Sequence, residues 1–289
     1  MHRRRDGDHG RGRASTSHQR FSRLINDPFA DPLVEAVGLD LFTKQVRGEL
    51  DTSDIDPQLV ARVQSLIDEV AVRTKFFDEF FVRSAANGVR QAVILASGLD
   101  ARAYRLRWPA KTGVYEIDQP AVIEFKTTAL ARLGATPTVE RRTVAMDLRG
   151  EWPGALRAAG FDADAPTMWS AEGLLMYLPS EAQERLFDNI TALSAAGSTT
   201  AADCLSGPRN LDDAAAHNIS DGWREKGFTL DMPSLTFSNE RGNLINYLTA
   251  QGWQVDCLSR TDLFAQNNVA LSKDADDGMG ELVYVSATR

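Results

Sequence analysis

Residues 90–118, RQAVILASGLDARAYRLRWPAKTGVYEID, decide the fold. The apolar run at 92–96 is too short for a typical helix and carries β-branched residues, so it predicts a buried strand. Ser97 and Gly98 break this run, and a helix-compatible segment follows. Residues 113–117 predict a second strand, which ends on Asp118. The order strand, glycine turn, helix, strand and acid predicts a βαβ unit that holds a nucleotide.

Each part of this unit has a physical use. Gly98 lacks a Cβ, so a ligand can approach the turn closely. The unpaired N–H groups at the start of the helix suit a carboxylate or a phosphate. Asp118 follows the turn by about 20 residues, the spacing at which an acid can accept hydrogen bonds from both hydroxyls of a ribose. Dinucleotides and S-adenosylmethionine are both bound in this way.

The glycine pattern separates these two cofactors only weakly. A dinucleotide site favours G-x-G-x-x-G, but here the three positions hold Ala96, Gly98 and Ala101. With one glycine of three, the turn is poorly suited to a pyrophosphate. S-adenosylmethionine has no pyrophosphate, so the pattern favours it.

Further elements follow from apolar periodicity. Strands are predicted at 139–145, 167–172, 198–204, 253–259 and 282–287. Helices are predicted at 26–40, 57–81, 99–106, 120–133, 151–159, 180–193 and 244–250. Ser180 is expected to be the N-cap of its helix, with Gln183 completing a capping box.

Four motifs in this order resemble those of the leucine carboxyl methyltransferase-like family, in particular its actinobacterial branch. The motifs are ILASGLDARAYRL (94–106), YEIDQPAVIEFK (115–126), VAMDLR (144–149) and SAEGLLMYL (170–178). The resemblance runs from about residue 27 to the C-terminus. It implies an α/β class I methyltransferase fold: a Rossmann-like, doubly wound sheet, mostly parallel, with an antiparallel C-terminal strand. The family usually has a glycine where Ala96 lies and a threonine where Ala101 lies.

The resemblance and the composition together suggest a domain organisation. A basic tail is expected at 1–23, followed by one methyltransferase domain at 24–289. The domain comprises a helical lead-in (24–89), a cofactor-binding core (90–204), a lid insertion (205–246) and C-terminal strands (247–289). The tail is either an electrostatic arm for an acidic partner or a segment without its own fold. The lid aromatics either line an apolar acceptor pocket or anchor a long loop.

The resemblance assigns a role to Arg73, which precedes Thr74 in the predicted helix at 57–81. In the family, an Arg-Thr pair at this place supplies the arginine that holds the cofactor carboxylate. A guanidinium suits this role because it can bind a carboxylate through two hydrogen bonds. The alternative is a surface ion pair with Glu69, four residues earlier.

Two further acids follow predicted strands. In methyltransferases of this architecture the loop after the third strand meets the adenine, which implies roles for the Asp147 carboxylate and the Leu148 backbone. Alternatively, Asp147 is the N-cap of the helix at 151–159. Glu172 ends the fourth strand and could contact the methionine ammonium, the methyl acceptor or backbone amides of its own turn.

The expected site therefore contains residues from four strand ends and one helix, with no catalytic residue and no metal ligand assigned. The cofactor-binding residues are Arg73, Ser97, Gly98, Asp118, Gln119, Asp147, Leu148 and Glu172. Methyl transfer from a sulfonium is an in-line displacement, and a carboxylate acceptor is already ionised near neutral pH, so no general base is required. His217, within the predicted lid, could act on an acceptor hydroxyl or lie on the surface.

Composition restricts the partners. The chain has 289 residues, 43% of them apolar, and a net charge of −8. A pI of about 5.1 argues against nucleic-acid binding. No apolar run approaches membrane-spanning length, and the two cysteines, Cys204 and Cys257, are expected to be reduced. These features predict a cytoplasmic protein.

Three functions fit these observations. The first is an S-adenosylmethionine-dependent methyltransferase that forms an ester or ether on a small or lipid-like molecule. The second is a catalytically silent S-adenosylmethionine-binding protein, which the departures at Ala96 and Ala101 keep open. The third is a nicotinamide-dependent oxidoreductase, against which the missing glycines argue.

Overall fold

A seven-stranded sheet organises the computed structural model of the chain, which describes residues 24–38, 57–206, 244–271 and 281–289. The strands are β1 (Gln91–Leu95), β2 (Gly113–Asp118), β3 (Glu140–Ala145), β4 (Thr167–Ala171), β5 (Thr199–Ser206), β6 (Gln254–Ser259) and β7 (Glu281–Thr288). Their order across the sheet is β3-β2-β1-β4-β5-β7-β6. Each strand lies close to its predicted position.

The directions of the strands confirm the predicted fold class. Strands β3, β2, β1, β4 and β5 pair in parallel. Strand β7 inserts antiparallel between β5 and β6. The chain is therefore α/β, with a mostly parallel sheet and an antiparallel C-terminal strand.

Helices lie along and between these strands. They are α1 (Ala30–Val37), α2 (Pro57–Ala86), α3 (Arg102–Arg105), α4 (Pro120–Arg132), α5 (Trp152–Ala158), α6 (Ser180–Ala192), α7 (Leu244–Ala250) and α8 (Arg260–Gln266). Helix α2 extends past the predicted residue 81 because Ala85 continues its buried face. Helix α8 was not predicted from the sequence; the Ser259 side chain caps it by accepting from the Asp262 N–H.

Helix α3 is much shorter than the predicted helix at 99–106. The Asp100 N–H donates to the Ser97 carbonyl at 2.7 Å, so the chain turns before the helix begins. The Asp100 side chain then accepts from the Arg102 N–H at 2.7 Å, which starts the helix. At the other end Leu106 is extended, as expected for a chain approaching Pro109.

The capping box predicted for α6 is wrong. Pro179 occupies the N-cap position, and no side chain caps the helix there. Gln183 instead donates from Nε2 to the carbonyls of Leu175 and Leu178, at 2.8 and 2.9 Å. These bonds tie the start of α6 to the 3₁₀ turn Leu175–Tyr177.

The core lies on both faces of the sheet. Strand β1 is buried throughout, and its side chains alternate between two apolar clusters. Ala92 and Ile94 join the cluster that includes Phe77 of α2. Val93 and Leu95 join the other cluster, on the opposite face. The strand therefore fixes the turn that follows it between two packed layers.

Several predictions lie outside the described residues. They are the tail at 1–23, nearly all of the lid at 205–246, and His217. Within the ranges that the structure describes, no helix is long and apolar enough to cross a membrane.

Candidate functional site

The candidate site lies where the parallel strands end. Because β1, β2 and β4 run in the same direction, the turn after β1, Asp118 of β2 and Glu172 after β4 meet at one edge of the sheet. A cavity of about 310 Å³ opens at this edge. Four of the expected site residues are in its wall, namely Arg73, Ser97, Gly98 and Glu172.

The turn after β1 has an unusual backbone. Ala96 and Gly98 both lie in the left-handed region, with φ of 51° and 42°. Ala96 occupies the position where the resembled family has glycine, and an L residue there costs about 1–2 kcal/mol. A Cβ built on Gly98 would meet nothing nearer than the Ala96 carbonyl oxygen at 3.9 Å. The space above Gly98 is therefore open to a ligand.

Asp118 fixes the turn from the neighbouring strand. Its Oδ2 accepts from the Gly98 N–H and its Oδ1 from the Gln119 N–H, both at 2.7 Å. A carboxylate offers about four lone-pair positions, so two bonds leave acceptor capacity. The side chain is half-buried, and that capacity is suited to a ligand hydroxyl.

Arg73 lies between two acids. Its Nε is 3.2 Å from Glu172 Oε1, and its Nη1 is 3.9 Å from Asp203 Oδ2. Burial works to lower the pKa of Arg73, but the Asp203 and Glu172 carboxylates outweigh it and raise the pKa above its ordinary value. Glu69, the alternative partner, accepts hydrogen bonds from Arg260 and Tyr284.

Asp203 is a fully buried acid on β5 that sequence reasoning did not single out. Its Oδ1 accepts from the Gly173 N–H at 2.6 Å, while its Oδ2 has no hydrogen-bond partner among the described residues. Burial raises the pKa of Asp203 to about 6, although Arg73 and the Gly173 N–H act to lower it.

Arg102 organises the acids behind the cavity. It is buried, and its Nε donates to Asp78 Oδ1 and its Nη1 to Glu172 Oε2, each at 2.7 Å. It also donates to Asp100 and to the Thr74 carbonyl. Burial alone would lower the pKa of Arg102, but its acidic neighbours raise it well above the ordinary value. Glu172 is thus held by guanidinium groups from two directions.

The formal charges of the residues in the wall of the cavity sum to zero. Three are acids and three are arginines, namely Asp27, Asp100, Glu172, Arg73, Arg102 and Arg105. Asp78 and Asp203 lie behind them, in contact with or close to these arginines. A wall that carries both signs of charge suits a zwitterionic ligand better than an apolar one.

The loop after β3 lies beside Asp118, outside the cavity wall. The Met146 N–H donates to the Asp118 carbonyl at 2.8 Å, which aligns Asp147 and Leu148 with the neighbouring strand end. Asp147 forms an ion pair with Arg149, and the hydrogen bonds from Arg149 lower the pKa of Asp147 to about 2. The N-cap alternative is wrong, because Glu151 occupies that position.

Gly173 is a further residue that the sequence did not single out. Its φ is 61°, and a Cβ there would lie 3.2 Å from Arg73 Nη1. The absence of a side chain therefore leaves room for the guanidinium. Its place directly after Glu172, at the end of a strand, is the sequence signal that could have indicated this role.

Comparisons with known proteins show which family the chain belongs to. The family model for leucine carboxyl methyltransferase matches residues 10–191. A protein of Mycobacterium sp. (strain JLS) is 58% identical over 265 residues, which cover 92% of this chain and 87% of that protein. One from Mycobacterium avium (strain 104) is 55% identical over 267 residues, covering 92% and 88%. Both carry the provisional name S-adenosyl-L-methionine-dependent methyltransferase.

Solved structures support the fold alone. A protein from Thermobifida fusca YX, provisionally described as a methyltransferase, aligns with a TM-score of 0.50 at 14% identity. The alignment covers 98% of this chain and 99% of that one. A DUF574 family protein from Streptomyces avermitilis MA-4680 also gives a TM-score of 0.50, at 12% identity and with 94% and 97% coverage.

The fold and the comparisons together define an S-adenosylmethionine-dependent methyltransferase of the Rossmann-like class. The chain belongs to the leucine carboxyl methyltransferase family. The family and the cofactor expected from the four sequence motifs are thereby confirmed.

Proposed function

We propose that the chain transfers the methyl group of S-adenosylmethionine to a carboxylate or hydroxyl oxygen of a small or lipid-like molecule. The cofactor would be held by the residues expected from the sequence, which are Arg73, Ser97, Gly98, Asp118, Gln119, Asp147, Leu148 and Glu172. The observation that carries this assignment is the Arg73–Glu172 pair in the cavity wall, beside the open glycine turn.

This pair fits the amino-acid end of the cofactor. The Arg73 and Glu172 side chains are 25% and 17% exposed, so each can be reached from the cavity. A methionine carboxylate matches the guanidinium, and its ammonium matches the Glu172 carboxylate. Asp118 would accept from the ribose hydroxyls with the capacity that Gly98 and Gln119 leave unused.

The remaining role of the protein is to position the methyl acceptor. When bound, S-adenosylmethionine supplies a methyl group activated by its sulfonium. The chain would orient the acceptor in line with that group and exclude water. The name of the family supports a carboxylate acceptor, which needs no proton removed near neutral pH.

Methyl-labelled S-adenosylmethionine, incubated with the protein and with extracted cell metabolites, tests the proposal. We expect label in a small-molecule fraction, and less label when Asp118→Ala replaces the wild type at a limiting concentration of S-adenosylmethionine. Mild alkali should release labelled methanol from a methyl ester but not from an ether, which distinguishes carboxylate from hydroxyl acceptors. Protein fractions from the same cells are assayed for label in parallel. Label in protein alone, or saturable cofactor binding without any transfer, would overturn the acceptor proposal.

We place this activity in the cytoplasm. The two cysteines in 289 residues support a reducing compartment, since secreted domains more often carry many. Fractionation of cells that produce the tagged full chain should recover the methyltransferase activity with cytosolic markers. Recovery with extracellular or envelope markers would refute this placement.

A further inference from the structure

Lys126 of α4 is fully buried, and its ammonium lies directly beneath the glycine turn. Its Nζ is 3.1 Å from Ser97 Oγ, 3.1 Å from the Asp100 carbonyl oxygen and 3.4 Å from the Ser97 carbonyl oxygen. It also forms an ion pair with Glu116 Oε2 at 2.8 Å, and both side chains are 0% exposed. A buried lysine requires such partners because the charge has left water.

Charge balance with Glu116 alone does not account for Lys126. Glu116 already has a second cationic partner, since Arg141 Nη2 is 2.7 Å from the same oxygen. Arg141 also contacts Thr127 and the ring of Tyr104. Among the residues that the structure describes, no hydrogen bond of Arg141 reaches the turn. Arg141 alone can neutralise the Glu116 carboxylate. The Lys126 ammonium, in contrast, also contacts the oxygens of the turn.

The turn requires such support. Ala96 and Gly98 both have positive φ, and backbone in sparsely populated regions persists only where its surroundings hold it. The Lys126 ammonium lies within hydrogen-bond distance of two carbonyl oxygens and one hydroxyl oxygen of this turn. The same turn presents the Gly98 N–H to Asp118.

We propose that Lys126 is a positioning residue that fixes the turn from Ser97 to Asp100 for cofactor binding. It acts through the turn backbone and does not touch the cofactor. This inference rests on the proposed cofactor site and adds to it the residue that sets the shape of that site.

The variants Lys126→Met and Arg141→Met form a matched pair, since each removes one cation from Glu116 and only the first releases the turn. Affinity for S-adenosylmethionine is measured by calorimetry, and stability by urea unfolding. We expect both variants to lose stability. Lys126→Met should bind the cofactor about tenfold or more weakly, the scale of a lost hydrogen bond to a charged group. Arg141→Met should stay within about twofold of the wild type.

A second comparison separates turn support from charge balance. In Glu116→Gln/Lys126→Met the buried acid and the lysine are neutralised together. If Lys126 supports the turn, the double variant still binds weakly; recovery of wild-type affinity would overturn the proposal. The double variant also serves where Lys126→Met alone does not fold, because it removes the buried acid together with the lysine. Equal affinity losses in Lys126→Met and Arg141→Met would likewise refute the inference. Failure of the wild type to bind S-adenosylmethionine would refute the cofactor site itself.

Discussion

Replacing Gly173 with alanine should displace the arginine that we assign to the cofactor carboxylate. The new Cβ would lie 3.2 Å from Arg73 Nη1 and 3.5 Å from its Cζ. The guanidinium has little freedom to move away, because Glu172 holds its Nε at 3.2 Å and Asp203 lies behind it. The substitution therefore moves the guanidinium by a few tenths of an ångström without removing any charge.

Two costs follow, and they are measured separately. The backbone of Gly173 has a φ of 61°, so alanine there destabilises the fold by about 1–2 kcal/mol. A weakened bond between Arg73 and the cofactor carboxylate costs further free energy on binding alone. Hydrogen bonds to charged groups contribute about 1.5–3 kcal/mol, so partial loss corresponds to about a tenfold weaker affinity.

Gly134 provides the matched control. Its φ is 68°, close to that of Gly173, but a Cβ there would have nothing within 4 Å. Urea unfolding should show a similar loss of stability for Gly134→Ala and Gly173→Ala. Calorimetry with S-adenosylmethionine should show weaker binding for Gly173→Ala only. Wild-type affinity in Gly173→Ala, at a stability equal to that of the control, would refute the assignment of Arg73.

Three further predictions concern single acids and bases of the site. Asp118→Ala should weaken cofactor binding by about 1–3 kcal/mol, because partner groups lose their acceptor; unchanged affinity in calorimetry would remove the ribose assignment. Arg73→Lys should also bind S-adenosylmethionine more weakly, since an ammonium lacks the planar fork; wild-type affinity would contradict a bidentate role. Burial raises the pKa of Asp203 from 3.8 to about 6, so the folded state keeps its proton more tightly than the unfolded chain. The contribution of Asp203 to wild-type stability should therefore fall by up to about 3 kcal/mol as pH rises from about 4 through 6, and Asp203→Asn should not show this loss. Parallel pH profiles of the two proteins in urea unfolding would disprove the buried titration.

The sheet could be predicted from the sequence because its signals are local. Strand β1 is buried at all five positions, so its apolar run is short and unbroken. The glycine turn and Asp118 then follow at the ends of parallel strands, where topology alone brings them together. Helix α8 was missed because it follows β6 directly: Ser259 is both the last residue of the strand and the N-cap of the helix, so no turn signal separates the two elements.

The long-range contacts that hold the site residues in place could not be predicted in the same way. Arg102 reaches Glu172 across 70 residues and Asp78 across 24, and no local pattern encodes such pairings. The burial of Asp203 also depends on the pairing of β5 with β7, which places Tyr284 beside it. These contacts exist only once the sheet has formed.

The role of Lys126 could be predicted only in part. Ile123, Lys126, Ala129 and Leu130 are the buried residues of α4, at helical spacing. A lysine on the core-facing side of a helix is therefore visible in the sequence, and because a buried ammonium is costly it implies an acid and further oxygens nearby. The identity of those partners is not visible, since Glu116 comes from the adjacent strand and the oxygens from the turn after β1. A cation on a buried helix face is thus a sequence signal for a supported loop, and the structure is needed to show which loop it supports.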